Sequence, residues 1–503
     1  MAQPSPLLLQ PERNCWRIER ADRAALIVDA ADYYRLAREA MLAARHQILL
    51  IGWDVDTRVA LVSKEDAGEA PNCLGAFLSW LGRTRPGLNI YILAWDEGLL
   101  SIPGRGTTFL RLLRWYFDKD ISIKWDSTHP LDASHHQKIL VIDDALAFCG
   151  GIDITASRWD TRDHRDLEPG RRRPFTHRVY EPWHDAIMAV DGNAARALGE
   201  LGRMRWDAAT TDDELPVPPS GSDPWPKALE PQFRHVPVAI ARTRGHEGPQ
   251  SELREIEALF LDLVACARRY IYFETQYFAS RAVALAIAER LEEPDGPEIV
   301  VINPKTAEGW LDESVMGPAR ALLLGELRKR DRHGRFRIYT PVTEQGADIY
   351  VHAKIMIVDD EYLRVGSANL NNRSMGLDSE CDLLIDGVHA DPEARRTIAS
   401  VRCDLLAEHL GVSPETMAAS LDETGSVIQT IDRLRGSGRT LVPFEPPPTS
   451  AAQGALATSE LLDPEAPNEL FEPRVRPGLL FGLRGRQGSR MLRGNDLPRS
   501  SSS

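Results

Sequence analysis

Residues 351–380 read VHAKIMIVDDEYLRVGSANLNNRSMGLDSE, and the pattern inside this stretch decides how the rest of the chain is read. His352, Lys354 and Asp359 are spaced as HxKxxxxD, and after six further residues come Gly366, Ser367, Ala368 and Asn369. The arrangement occurs once before: His136, Lys138 and Asp143, then after six residues Gly150, Gly151, Ile152 and Asp153. A single HxKxxxxD arises by chance in about a few per hundred chains of this length. Two copies with glycine at the same offset do not. Their separation is that of whole domains rather than of a short solenoid repeat, so the chain is a duplication.

The alternating apolar residues of KILVID and KIMIVD predict a buried strand, on which side chains two apart share a face. The His and Lys of each motif then project together. Such a pair suits a phosphate ester, because an imidazole attacks or protonates at neutral pH while an ammonium holds anionic oxygens. The small residues that follow let backbone approach a charged ligand. One copy is half a site; two copies supply one histidine as nucleophile and another as proton donor to the leaving alcohol.

Outward from the motifs, helical and strand patterns alternate. ADYYRLAREAMLAARH leads to QILLIGWD, CLGAFLSWLGR to NIYILAWD, and TTFLRLLRWYF to ISIKW; the first motif strand follows, then DAIMAVDG and the helix NAARALGELGRMRW. After a Pro, Asp and Ser-rich stretch the order returns: SELREIEALFLDLVACARR to YIYFETQYF, RAVALAIAERLEE to EIVVINP, PARALLLGELRKRD to FRIYTPV, the second motif, CDLLIDG and a closing helix. Alternation of this kind predicts an α/β fold of two pseudo-symmetric halves, each a mostly parallel sheet flanked by helices. The divisions expected are a leader over 1–30, a first half over 31–211, a connector over 212–235, a second half over 236–442 and a disordered tail over 443–503. In the tail, Leu479, Leu480, Phe481 and Leu483 among arginines offer an alternative reading as a surface anchor.

A net charge of -14 opposes a nucleic acid as main partner, since that binding depends on neutralising phosphates. The six cysteines lack metal-ligand spacing, so no disulfide and no metal is expected. No apolar run approaches the roughly 18 residues that span a bilayer, and the first residues lack the basic region of a secretory signal. The expectation is a cytoplasmic or peripheral membrane protein, with export by a route needing no cleaved signal left open.

Two tandem HxKxxxxD motifs resemble the phospholipase D superfamily. The stretches GGIDITASRWDTRDH (150–164), EPWHDAIMAVDG (181–192) and FETQYF (273–278) are similar to its eukaryotic-type members, and the resemblance covers about 48–410. It implies both motifs at the seam of two halves, a phosphohistidine intermediate, no required cofactor or metal, and water or a second alcohol as acceptor. It also implies a catalytic set of His136, Lys138, Asp143, His352, Lys354 and Asp359, with His136 as nucleophile and His352 as acid and base. Asp143 and Asp359, at the far ends of their strands, are expected to brace the motif rather than touch substrate. A carboxylate that fixes a histidine's tautomer is carried over to Asp185 and Glu380, each supporting the histidine of the opposite half. Gly151, Asp153, Ser367 and Asn369 are supporting positions; Asp153 stands where many members carry Asn.

Other candidates are weaker. Trp53, Asp54, Trp95, Asp96, Gln276 and Tyr277 follow their strands, where α/β crevices bind ligands, but each equally suits packing. His135 neighbours His136, yet adjacent residues on a strand face opposite ways, so a metal pair is not expected. Arg171 to Arg173 read as a solvated loop, with lipid headgroups as the alternative. No role is assigned to His164 or His184.

The function expected is hydrolysis of a glycerophospholipid headgroup to phosphatidate and alcohol, with transphosphatidylation as a further capacity, by a monomer acting at a phospholipid membrane surface. A cardiolipin-synthase-like phosphatidyltransferase, a nuclease of the same superfamily and a silent lipid-binding module are the alternatives.

Overall fold

A computed structural model describes residues 8–95, 115, 121–128, 133–174, 176–210, 214–246, 251–306 and 310–446. The expected helix over 107–117 apart from Trp115, Asp96 and most of the expected tail, with its leucine and phenylalanine cluster, lie outside these.

Sixteen of the described strands build one continuous sheet whose order shows the duplication, with Leu253–Arg254 pairing on Phe233–Arg244 beside the main path, and two more form a separate pair. At its centre Arg17–Val28 runs antiparallel to Phe233–Arg244, with Ile18 opposite Ala239 and Ala21 opposite Val236. Outward on one side come Ala186–Asp191, Leu146–Gly150, Ile139–Ile142, Gln47–Gly52, Asn89–Trp95 and Ile121–Asp126. On the other side the equivalents follow in the same order: Glu380–Asp386, Tyr362–Gly366, Ile355–Val358, Tyr270–Glu274, Glu298–Ile302 and Phe336–Val342. Thr440–Pro443 closes the second edge.

Two features differ from expectation. Within the large sheet the parallel pairings are confined to Gln47–Gly52, Asn89–Trp95 and Ile121–Asp126 in one half and Tyr270–Glu274, Glu298–Ile302 and Phe336–Val342 in the other, where a crossover joins successive strands; its middle is antiparallel. The reason is in the motif itself. After ILVI and IMIV the chain turns back at once through Asp143–Asp144 and Asp359–Asp360, all at φ between 50° and 60°. Asp tolerates this left-handed region, and two such residues make the tight turn of an antiparallel hairpin. Second, residues 17–28, assigned to the leader, and 233–244, begun as connector, form the sheet's central strands. Their sequences, RIERADRAALIV and FRHVPVAIARTR, hide this because charges break the alternation and Pro237 argues against a strand.

The flanking helices follow their apolar periodicity. Ala30–Ala43 buries Tyr33, Tyr34, Leu36, Ala37, Ala40 and Met41, a stripe at helical spacing that packs on the sheet. Pro392–Leu410 starts with Pro after Asp391, whose carboxylate accepts the Glu393 amide, and ends at Gly411 with φ 63°. Its last turn brings Glu408 and His409 beneath the seam between the halves.

Candidate active site

Each motif histidine reaches the seam on a segment that pairs with the other half. The His136 amide donates to the Ser379 carbonyl and the Ser379 amide to the Ser134 carbonyl, both at 3.0 Å. Opposite, Tyr350–Val351 pairs in parallel with Trp183–His184, and the His352 amide donates to the His184 carbonyl at 2.7 Å. Glu380 follows Ser379 and Asp185 follows His184, so these exchanged pairings set each carboxylate beside the other half's histidine. His136 Nδ1 lies 3.0 Å from both Glu380 oxygens, and His352 Nδ1 lies 2.6 Å from Asp185 Oδ2. With Nδ1 engaged, Nε2 of each ring is the nitrogen left for chemistry.

Both lysines are buried in the same place. Lys138 Nζ donates to the His136 carbonyl at 2.9 Å and lies 3.2 Å from Asp153 Oδ2. Lys354 Nζ donates to the His352 carbonyl and, at 3.4 Å, to Gln276 Oε1. The strands proper begin only after each lysine, at Ile139 and Ile355; His and Lys stand on the extended lead-in.

The motif aspartates do not enter this cluster. Asp143 accepts from the backbone amides of Arg45, His46 and Gln47, and Asp359 from those of Arg268, Arg269 and Tyr270. Each carboxylate thereby locks the motif hairpin to the start of the neighbouring strand.

The small residues have separate tasks. A Cβ on Gly151 would stand 2.1 Å from Asp185 Oδ1, so glycine is what lets that carboxylate reach His352. At the equivalent position Ser367 donates to Glu380 at 2.5 Å, joined by Ser374 at 2.7 Å. Asp153 is spent on Lys138 and the Trp53 amide, whereas Asn369 keeps a buried Oδ1 without a hydrogen-bond partner among the described residues.

Among the substrate-binding candidates, the rings of Trp53 and Trp95 stack at 5.8 Å, and Gln276 donates to the hydroxyls of Tyr277 and Tyr350. Asp54 accepts from the Thr155 hydroxyl at 2.6 Å. His135 is buried against Ser379 Oγ at 2.8 Å. Arg171 is no solvated side chain: it is fully buried on Asp160 and three backbone carbonyls, while Arg172 and Arg173 are exposed.

Sequence pattern alone does not single out Trp183, Arg158 or Ser374. Trp183 stacks on Tyr350, with its ring centre 5.1 Å from that of His352, and the Arg158 guanidinium sits 4.1 Å over the indole. The signal for Trp183 was its place directly before His184 and Asp185; Ser374 had none, because its role depends on a turn of helix folding back onto Glu380.

The two pairs differ electrostatically. Burial, then Lys354, Arg158 and Lys138, hold His352 well below the ordinary histidine range. Burial also raises the Asp185 carboxyl. For Glu380 burial acts the same way, but His136, Ser367 and Lys138 outweigh it and draw the carboxyl down to about 2. Burial lowers Lys354 to about 7, Asp185 opposing it. Three cationic side chains, Lys138, Lys354 and Arg158, and three carboxyls, Glu380, Asp185 and Asp153, thus stand around two imidazoles supplied by opposite halves, an arrangement able to hold a phosphate diester, attack it and protonate what leaves.

The Phospholipase D family model matches twice, over residues 117–222 and 330–436. Curated proteins similar to this chain include phospholipase D A of Dictyostelium discoideum, 26% identical across 78% of this chain and 36% of that protein. Phospholipase D alpha 1 of Carica papaya is 24% identical across 79% of this chain and 66% of that protein. The chain thus spans between about a third and two thirds of these relatives' length. Among solved structures, the phosphatidylserine synthase of Haemophilus influenzae superposes with a TM-score of 0.52 at 13% identity, over 83% of this chain and 96% of that one, a likeness of fold. The chain thus carries the phospholipase D domain in two copies, each with one HxKxxxxD motif, and is similar to curated phospholipase D proteins.

Proposed function

We propose that the chain is a phosphodiesterase that cleaves the headgroup from a glycerophospholipid, leaving phosphatidate, through a phosphohistidine on His136. The observation that carries this is the crossed pair: two histidines, each held at Nδ1 by a carboxylate of the opposite half, beside two buried lysines.

His136 suits the nucleophile because attack creates an imidazolium, and its partner Glu380 is firmly ionised, with two serine hydroxyls fixing it. His352 suits the acid and base. A histidine with a lowered pKa gives up a proton readily, and an arriving anionic phosphate supplies the charge that lets it hold one. Proton transfer to the leaving alkoxide returns it to neutrality, ready to deprotonate the incoming water or alcohol. Lys138 and Lys354 neutralise the non-bridging oxygens. Water gives hydrolysis, and an alcohol gives transfer of the phosphatidyl group. The relatives' names support the first.

Among the described residues no helix is long and apolar enough to cross a membrane. The deciding experiment is headgroup release from mixed phospholipid vesicles, with and without ethanol, by the wild-type chain and His136→Ala. Release that disappears in the variant, with phosphatidylethanol formed when ethanol is present, supports the reading. His136-dependent cleavage of DNA without headgroup release replaces it with a nuclease, and binding without turnover of either replaces it with a silent module.

A further inference from the structure

A second cluster of ionisable groups adjoins the catalytic pair and takes no part in the chemistry above. His184, the residue before Asp185, is buried with His164, Asp29 and Glu408, and one donor atom of each lies within 4.8 Å of all the others. The four come from separate segments: the end of the central strand, the loop beyond the first motif, the short strand Trp183–His184 and the last turn of Pro392–Leu410.

Their spacing is that of ligands. His164 Nε2 is 3.1 Å from Glu408 Oε1 and 3.4 Å from Asp29 Oδ2; His184 Nδ1 is 3.0 Å from Glu408 Oε1 and 3.4 Å from Asp29 Oδ1. Four ligands placed tetrahedrally at about 2.0–2.1 Å from an ion stand about 3.3 Å apart. Asp29 Oδ2 and His184 Nδ1 are buried and, among the described residues, make no hydrogen bond of good geometry, although His184 Nδ1 has a carboxylate oxygen at 3.0 Å. Buried polar atoms rarely go unpaired, and here two of them belong to one four-residue cluster.

The outer ring nitrogens are engaged as those of metal-bound histidines are. His164 Nδ1 lies 3.1 Å from Asp160 Oδ2, and His184 Nε2 lies 2.7 Å from Glu274 Oε2. Those carboxylates are held in turn, Asp160 by Arg171 and Glu274 by the Tyr272 hydroxyl. Charge points the same way. Asp29, Asp160, Glu274 and Glu408 face Arg171 and Arg162, while Arg439 and Asp404 at the margin offset each other. With neutral imidazoles the cluster lacks two positive charges.

We propose that Asp29, His164, His184 and Glu408 form a closed four-ligand site for one divalent transition-metal ion, zinc by the chemistry of two imidazoles and two carboxylates. The ion is structural. It ties segments of both halves together and anchors the strand whose His184 carbonyl receives the His352 amide and whose next residue, Asp185, holds the His352 ring. The competing filling is two protons: burial disfavours a charged His164, but Asp29, Asp160 and Glu408 outweigh it and keep the ring protonated up to about 9.

The test is metal analysis of the full chain purified without a histidine tag, together with the visible spectrum after cobalt exchange. About one equivalent of zinc per chain, retained in His136→Ala and lost in a folded His164→Gln variant, is the expected result. If His164→Gln does not fold, the wild-type cobalt spectrum decides: intense tetrahedral bands support the site and the weak bands of octahedral surface cobalt overturn it. Wild-type protein that holds no stoichiometric zinc after dialysis against the metal, or zinc that survives His164→Gln, also overturns it.

Discussion

The two half-sites carry the same motif in the same backbone setting, yet they are not copies of each other in charge. His136 faces a carboxylate drawn down to about 2 and fixed by Ser367 and Ser374. His352 is more deeply buried, faces a carboxyl that burial has raised, and is itself pushed toward neutrality. Lys138 has the carboxylate of Asp153, and Lys354 has the amide of Gln276. Duplication supplied two equivalent imidazoles, and divergence of the residues around them gave the two different electrostatic settings; under the proposed function the first carries the covalent intermediate and the second takes and returns a proton.

The sharpest way to break this comparison is to remove each histidine and offer a diester with a p-nitrophenol leaving group, which departs without an acid. His136→Ala should abolish turnover of any substrate and give no burst. His352→Ala should lose about 10²–10⁴-fold on natural lipid. It should still release about one equivalent of nitrophenol per chain, with the phosphoryl group mapped by mass spectrometry to His136. A burst from His136→Ala instead would exchange the two roles.

Next come the positioning carboxylates. Glu380→Gln removes the negative partner of the intermediate and should lower kcat by about 10³–10⁴-fold, by analogy with the carboxylate of a catalytic triad. Asp185→Asn, beside a histidine already held neutral, should cost less, about 10²-fold. Gly151→Ala should imitate Asp185→Asn, because its Cβ would occupy the place of Asp185 Oδ1. Equal losses in Glu380→Gln and Asp185→Asn would argue that the charge difference has no catalytic consequence.

Much of this was readable from the residues alone because it lies in local pattern. The paired motifs, the alternating helices and strands and the bracing role of Asp143 and Asp359 all follow from spacing. What was hidden depends on tertiary contact. The central strands Arg17–Val28 and Phe233–Arg244 are buried by their neighbours rather than by their own alternation. Ser374 and Arg158 act across turns whose geometry no spacing encodes. The cluster of Asp29, His164, His184 and Glu408 shows no ligand spacing because its members come from four distant segments.

A smaller effect concerns the lysines. Lys354 must be cationic to hold phosphate, and in the free site burial lowers it to about 7. As pH rises through about 7 the free enzyme loses that proton, so kcat/KM should fall on the alkaline side. The limb in kcat should lie higher, because bound phosphate favours the charged form. Gln276→Glu gives Lys354 the kind of partner Lys138 has, and should move the kcat/KM limb upward. A limb that stays put in Gln276→Glu would assign it to another group.

The smallest catalytic effect belongs to the residues that the two halves use identically. Asp143 and Asp359 each accept three backbone amides at 2.7–2.9 Å. Both sit at positive φ, which Asn tolerates as well as Asp, so Asn changes the hydrogen bonding without straining the turn. Its NH₂ group must then face a backbone N–H that the carboxylate had satisfied. Each substitution should cost about 1–3 kcal/mol of stability in denaturant unfolding, the same in either half, with kcat changed by less than about tenfold. A collapse of kcat with the unfolding midpoint unmoved would place these aspartates in the chemistry. A large difference between Asp143→Asn and Asp359→Asn would show that divergence of the halves reaches their scaffold as well as their charges.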